Sequence, residues 1–244
     1  MTRTPLPVVF LHGIRVSGTM WRPQLNEVGK RRAVSAPDLP GHGRRRGQRF
    51  TMEAAVDAVA EEIDALGGRA LVTGLSLGGY VGIAAAGRLG DRVAGLVGIG
   101  CTAIPHPSRT LPLRAASRFF RALPDGGAWL NQRVFASTVG RQAAAVIAER
   151  GFATEAMSDT LDALVGSDPL RDLERYGGPV WLVNGSRDHL RVDEQRFLEA
   201  CVDGRLVIVP KAWHLVPLGA PHTVSRLVEE AAEHVERTTK PLAA

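Results

Sequence analysis

Residues 70–79 read Ala-Leu-Val-Thr-Gly-Leu-Ser-Leu-Gly-Gly, and the fold is decided there. The apolar run 70–73 suits a buried strand, and the Ala- and Gly-rich run 77–89 suits a helix packed close to a sheet. Between them, Gly74-Leu75-Ser76-Leu77-Gly78 fits the G-x-S-x-G pattern of a sharp strand-to-helix turn. The chemistry needs those glycines because side chains beside so tight a turn would collide with it. The turn lifts the serine hydroxyl above the sheet edge at a helix N-terminus, where backbone N–H groups favour negative charge. The pattern alone is common by chance; the strand before it and the helix after it make it informative.

Outward from this stretch, short β-branched runs alternate with longer amphipathic ones, the pattern of βα units and a parallel sheet. Strands are expected at 8–11, 33–36, 70–74, 93–99, 180–184 and 206–209, and helices at 17–29, 52–66, 77–89, 191–201 and 222–238. Thr51 suits a helix N-cap, with Glu53 in the first turn and Gly67-Gly68 as the stop. The rhythm breaks between Cys101 and Asp168. That stretch contains no good strand, opens with Pro105 and Pro107, and reads as helices near 113–123, 128–151 (broken) and 155–165. The expectation is a core built from 1–101 and 168–244, with 102–167 a helical lid inserted before the last two strands. In the lid's first helix, Ala115, Ala116, Phe119, Phe120 and Leu123 are expected to form the buried face, with Arg114, Arg118 and Arg121 opposite.

Composition narrows the classes. With 244 residues, 45% hydrophobic and 23% charged, the chain can bury a substantial core, and wholesale disorder is excluded. Cys101 and Cys201 are the only cysteines and lie far apart, against a disulfide framework or a cysteine metal site. No secretory pattern and no membrane-spanning run is present, so a cytoplasmic location is expected. The net charge of +5 comes almost wholly from scattered arginines, with one cluster at Arg44-Arg45-Arg46, and no nucleic-acid motif accompanies them.

A serine hydroxyl is a weak nucleophile until a base takes its proton. The base should be a histidine on a late loop at the same sheet edge. His214 fits, in Pro210-Lys211-Ala212-Trp213-His214 directly after the last strand. His12 and His42 belong to early loops, His106 opens the lid, and His222 and His234 lie on the terminal helix. A carboxylate should fix the imidazole tautomer, and Asp188 follows the strand at 180–184 in Asn184-Gly185-Ser186-Arg187-Asp188. The order Ser76, Asp188, His214 then follows that expected with this turn. Backbone N–H groups of Ile14, after His12-Gly13, and of Leu77 are the expected oxyanion donors.

Taken together, Leu11-His12-Gly13 with Ser17 and Trp21, Asp38-Leu39-Pro40-Gly41-His42-Gly43, the Ser76 turn, Gly185 through Asp188, and His214 resemble the α/β-hydrolase superfamily and its lidded small-molecule esterases. The resemblance covers nearly the whole chain outside the lid. It implies an α/β fold with a mostly parallel sheet of about six strands flanked by helices. It also implies hydrolysis of a small ester, thioester or lactone through an acyl-serine, with no metal or cofactor. Relatives of this fold also cleave C–C bonds, eliminate small acids, or serve as ligand receptors with little turnover. Two departures concern charge. Arg44–Arg46 replace the usual small residue after the Gly-His-Gly loop, and Arg15 stands directly after Ile14. They raise an acidic substrate, such as a carboxylate or a CoA- or carrier-bound acyl group, against the reading of solvated arginine. Arg15, Trp213, Phe119 and Phe120 are the pocket candidates. No nucleic-acid or membrane partner is expected.

Overall fold

The computed structural model describes residues 4–238; the ends of the expected core segments, 1–3 and 239–244, lie outside the described residues. Six strands, β1 (Val8–Leu11), β2 (Val34–Ser35), β3 (Ala70–Leu75), β4 (Val93–Ile99), β5 (Pro179–Gly185) and β6 (Asp203–Val209), form one sheet in the order β2-β1-β3-β4-β5-β6. Every pairing is parallel. β1, β3 and β4 are buried along their whole length, so their continuous apolar runs face helices on both sides.

The helices are α1 (Arg22–Val28), α2 (Met52–Ala65), α3 (Leu77–Leu89), α4 (Pro107–Ala122), α5 (Ala128–Val139), α6 (Arg141–Ala148), α7 (Met157–Val165), α8 (Pro169–Arg175), α9 (Glu194–Ala200), α10 (Val216–Gly219) and α11 (Pro221–Thr238). One face of the sheet packs against α2, α3, α8 and α9 through residues such as Val59, Ile83, Leu173 and Phe197. The other packs against α1 and α11 through Val28, Val224, Val228 and Val235. Alternate strand residues divide between the two cores, with Val9 and Leu11 on one side and Val8 and Phe10 on the other.

Local chemistry explains the element ends. Thr51 accepts a hydrogen bond from Ala54 N–H at 3.1 Å and starts α2. Asp168 does the same for Arg171 N–H at 3.2 Å, with Pro169 at the first position of α8. The expected helix at 17–29 divides into a tight turn, Gly18–Trp21, and α1, because Pro23 fits only the first turn of a helix. Gly140, at φ 86°, separates α5 from α6 within the stretch expected to be broken. The α4 helix begins earlier than expected, where His106 accepts from Ser108 N–H and Pro107 opens the first turn.

One correction concerns α4, which buries Thr110, Ser117 and Phe120, while Ala115 and Phe119 are exposed. The polar side chains turn inward because they find partners there: Ser117 Oγ donates to the Thr154 carbonyl and Arg114 Nε to Thr110 Oγ1. Several arginines of the Arg44–Arg46 cluster and of α4 are engaged by acids of the chain itself. Arg45 pairs with Glu61 and Arg46 with Glu155, each at 2.7 Å, and Arg114 pairs with Asp162 at 2.6 Å.

Candidate active site

The chain order and the sheet order diverge at β1, which has β2 on one side and β3 on the other. Crossovers from β1 and β3 therefore leave in opposite directions, opening a crevice at the strands' C-terminal ends. The loop His12-Gly13-Ile14 borders that crevice from β1, and the Ser76 turn borders it from β3.

Ser76 adopts φ 53°, ψ −115°, a conformation L-residues rarely hold. It persists because its surroundings fix it. Ser76 N–H donates to the Ile99 carbonyl at 2.8 Å, and the Ser76 carbonyl accepts from Gly79 and Tyr80 N–H as α3 begins. A Cβ on Gly74 would overlap the Gly78 carbonyl, so the turn closes only with glycine there. Leu77 is the first residue of α3, so its N–H lacks an intrahelical acceptor. A Cβ on Gly13 would lie 3.9 Å from Ser76 Cβ, which brings Ile14, the next residue, to the same place.

Asp188 and His214 come together from the loops after β5 and β6. His214 Nδ1 donates to Asp188 Oδ2 at 2.9 Å, with Oδ1 at 3.1 Å. The Asp188 carboxylate is 0% exposed and the His214 side chain 21%. Burial opposes the charge on Asp188. The hydrogen bond and charge of His214, together with Leu190 N–H at 2.9 Å, overcome it and hold the carboxyl below its ordinary range. The two loops are laced together, Arg187 N–H to the Ala212 carbonyl at 2.9 Å and Lys211 N–H to Ser186 Oγ at 2.8 Å.

Gly100 joins the serine to this pair. It follows Ile99, which holds Ser76, and a Cβ on it would lie 3.0 Å from Asp188 Oδ2 and from the His214 ring, at φ +59°. Three loops thus converge on one backbone segment at the end of β4.

The remaining candidates divide. Phe120 is buried beside Arg15, whereas Phe119 is 55% exposed and meets only the flank of Phe120. Trp213 is 62% exposed beneath the Arg187 guanidinium. Sequence reasoning passed over His189, whose Nδ1 lies 3.7 Å from Asp188 Oδ1 and whose ring is 5.4 Å from that of His214. Its place directly after Asp188 was the available signal.

His12 and His42 support the site's floor. His12 Nε2 accepts from Leu39 N–H at 2.9 Å, so Nδ1 carries the proton and donates to the Gly13 carbonyl at 2.8 Å. Burial, with the neighbouring His42, pushes the His12 pKa down to about 3. Asp38 accepts from Gly18 N–H, Arg44 N–H and Arg150, each at 2.8 Å.

A parallel sheet with a serine on this turn and a carboxylate–imidazole pair across the strand ends defines an α/β fold with a hydrolase-type site. Residues 8–227 match the model of the alpha/beta hydrolase family, and the chain belongs to that family. It is an enzyme, a hydrolase of the esterase kind. The chain is 29% identical over 243 residues to the pimeloyl-[acyl-carrier protein] methyl ester esterase of Neisseria meningitidis, covering 93% of this chain and 94% of that one. Over 95 residues, 38% of this chain and 36% of the other, it is 36% identical to lipase LipV of Mycobacterium tuberculosis. Among solved structures, a thermophilic esterase from Thermogutta terrifontis superposes with a TM-score of 0.79 at 26% identity, covering 96% of this chain and 92% of that one. No described helix is long and apolar enough to cross a membrane.

Proposed function

We propose that this enzyme hydrolyses a small carboxylic ester, thioester or lactone through an acyl-serine intermediate. The observation that carries the reading is the Asp188–His214 hydrogen bond packed against Gly100, one residue from the carbonyl that fixes Ser76. Asp188 holds the imidazole with its proton on Nδ1, leaving Nε2 free to take the proton of the Ser76 hydroxyl. Ser76 Oγ attacks the acyl carbon, and the N–H groups of Ile14 and Leu77 stabilise the oxyanion. His214 passes its proton to the leaving alcohol or thiol, then takes one from water, which attacks the acyl-serine and frees Ser76. Residues 102–167 act as a lid over the acyl group. The substrate is a small acyl compound, and an acidic, CoA-bound or carrier-bound one suits the chain's positive charge. The name of the neisserial relative, an esterase acting on a methyl ester of a carrier-bound acyl chain, agrees with that class.

Labelling by a fluorophosphonate serine-hydrolase probe tests this. Wild type should label, Ser76→Ala should not, and His214→Ala should label far more slowly. Labelling that persists in folded Ser76→Ala would sink the assignment.

A further inference from the structure

Arg15 is a half-buried cation with no anion beside it among the described residues. The other sheltered arginines are satisfied. Arg32 meets Glu229 and Glu236, Arg114 meets Asp162, Arg150 meets Asp38, and Arg191 meets Glu194. Arg15 instead lies against two rings, its guanidinium carbon 5.4 Å from the centre of Phe120 and 5.1 Å from that of Phe135. Phe135 is in turn held by stacking on Phe152, 5.5 Å away with the rings nearly parallel.

The backbone is committed to this placement. Arg15 has φ 61°, a conformation unfavourable outside glycine, and its carbonyl accepts from Ala153 N–H at 2.9 Å. A charge taken out of water without a partner is unfavourable, and burial does weaken the protonated state of Arg15. Aromatic contacts return only part of that cost. They also cover the faces of a guanidinium and leave its N–H edge, the edge that matches a carboxylate's two oxygens. Arg15 directly follows Ile14 and is two residues from Gly13, on which a Cβ would lie 3.9 Å from Ser76 Cβ. An anion on this edge would belong to a molecule lying across the serine.

We infer that Arg15 is a specificity-determining residue which grips a second carboxylate on the ester substrate, so that half-esters of short dicarboxylic acids, or esters of carboxylated alcohols, are preferred over neutral esters. The inference rests on the hydrolase reading above and goes beyond it in naming the group recognised.

The test is a ratio of kcat/KM within matched pairs. On the acyl side, mono-4-nitrophenyl glutarate is compared with its methyl-capped diester; on the leaving-group side, 4-acetoxybenzoate is compared with phenyl acetate. Wild type should favour the acid in one pair by tenfold or more, chiefly through KM. Arg15→Gln should lower that ratio at least tenfold, and Arg15→Lys should keep part of it. The pair that responds identifies which side of the ester carries the carboxylate. A wild-type ratio near one in both pairs, or a ratio unchanged in Arg15→Gln, would overturn the inference.

A second measurement needs neither turnover nor a variant. Glutarate should raise the Tm of the wild type, less so in high salt, and an unmoved Tm at saturating glutarate counts against the carboxylate site. Probe labelling of Ser76 separates the two failures. Labelling and neutral-ester hydrolysis without acid preference removes only the Arg15 inference, whereas absent labelling with a glutarate-shifted Tm removes the hydrolase reading, and with it the ester, and leaves Arg15 as a carboxylate site.

Discussion

At Ser76 the backbone is held where few residues go, and the cost is met by three hydrogen bonds around the turn. The serine and its glycines were legible in the sequence because sterics leave no other residues able to make the turn. Gly100 was not legible, since nothing in Gly100-Cys101-Thr102 announces that Asp188 and His214 would pack on it. Its role yields a sharp expectation. Gly100→Ala would press a methyl 3.0 Å from Asp188 and His214 at a positive φ. kcat on a 4-nitrophenyl ester should fall about 10²-fold, as a displacement near 1 Å can cause, with the chain still folded by circular dichroism. Asp188→Asn should lower kcat by about 10⁴-fold by favouring the wrong imidazole tautomer, with little change in KM. A loss under tenfold would mean that Asp188 is not the orienting acid.

Elements were read well where periodicity and burial agree and poorly where they part. All six strands were expected: β1, β3 and β4 because a strand covered on both faces must be apolar throughout, and the edge strands β2 and β6 from short β-branched runs, the start of β6 at Asp203-Gly204-Arg205 being missed. The buried face of α4 was misread, since Thr110 and Ser117 enter the interior through hydrogen bonds that hydrophobic spacing does not register. The stretch from α4 to α7 is fastened to the sheet by polar contacts. Arg150 reaches Asp38, Arg46 reaches Glu155 and the Phe152 carbonyl, and Arg22 pairs with Glu149. These fasteners differ in worth. Asp38→Ala strips Gly18 N–H, Arg44 N–H and Arg150 of their acceptor in a buried place, and about 3–5 kcal/mol should be lost in urea unfolding. Arg22→Ala removes an exposed pair and should cost under about 1 kcal/mol. Equal losses would show that burial does not set the difference.

Over the whole molecule, the buried imidazoles set the response to acid. The His12 pKa lies at about 3 when folded, against about 6.5 for a free histidine. Burial lowers His42 as well. Between those values the unfolded chain binds protons that the folded one refuses. Stability is therefore full above about pH 6.5 and falls as the pH drops below it, by up to about 1.4 kcal/mol per pH unit for each such group. Asp188 and Asp38, both held low, add losses only further down, in the carboxylate range. Urea midpoints should thus decline between pH 6.5 and 5, above the range in which Asp188 and Asp38 protonate. A flat midpoint over that interval would contradict the buried neutral imidazoles.

β4 and β5 are neighbours in the sheet, yet the chain between Ile99 and Pro179 wanders through five α-helices before it returns. Closing a loop of that size costs little more than closing one half as long, about 0.6 kcal/mol per doubling. Chain closure thus leaves the length of the detour nearly unconstrained, and what holds it in place is packing and pairing: Leu173 and Ile147 in the cores and Arg150 on Asp38.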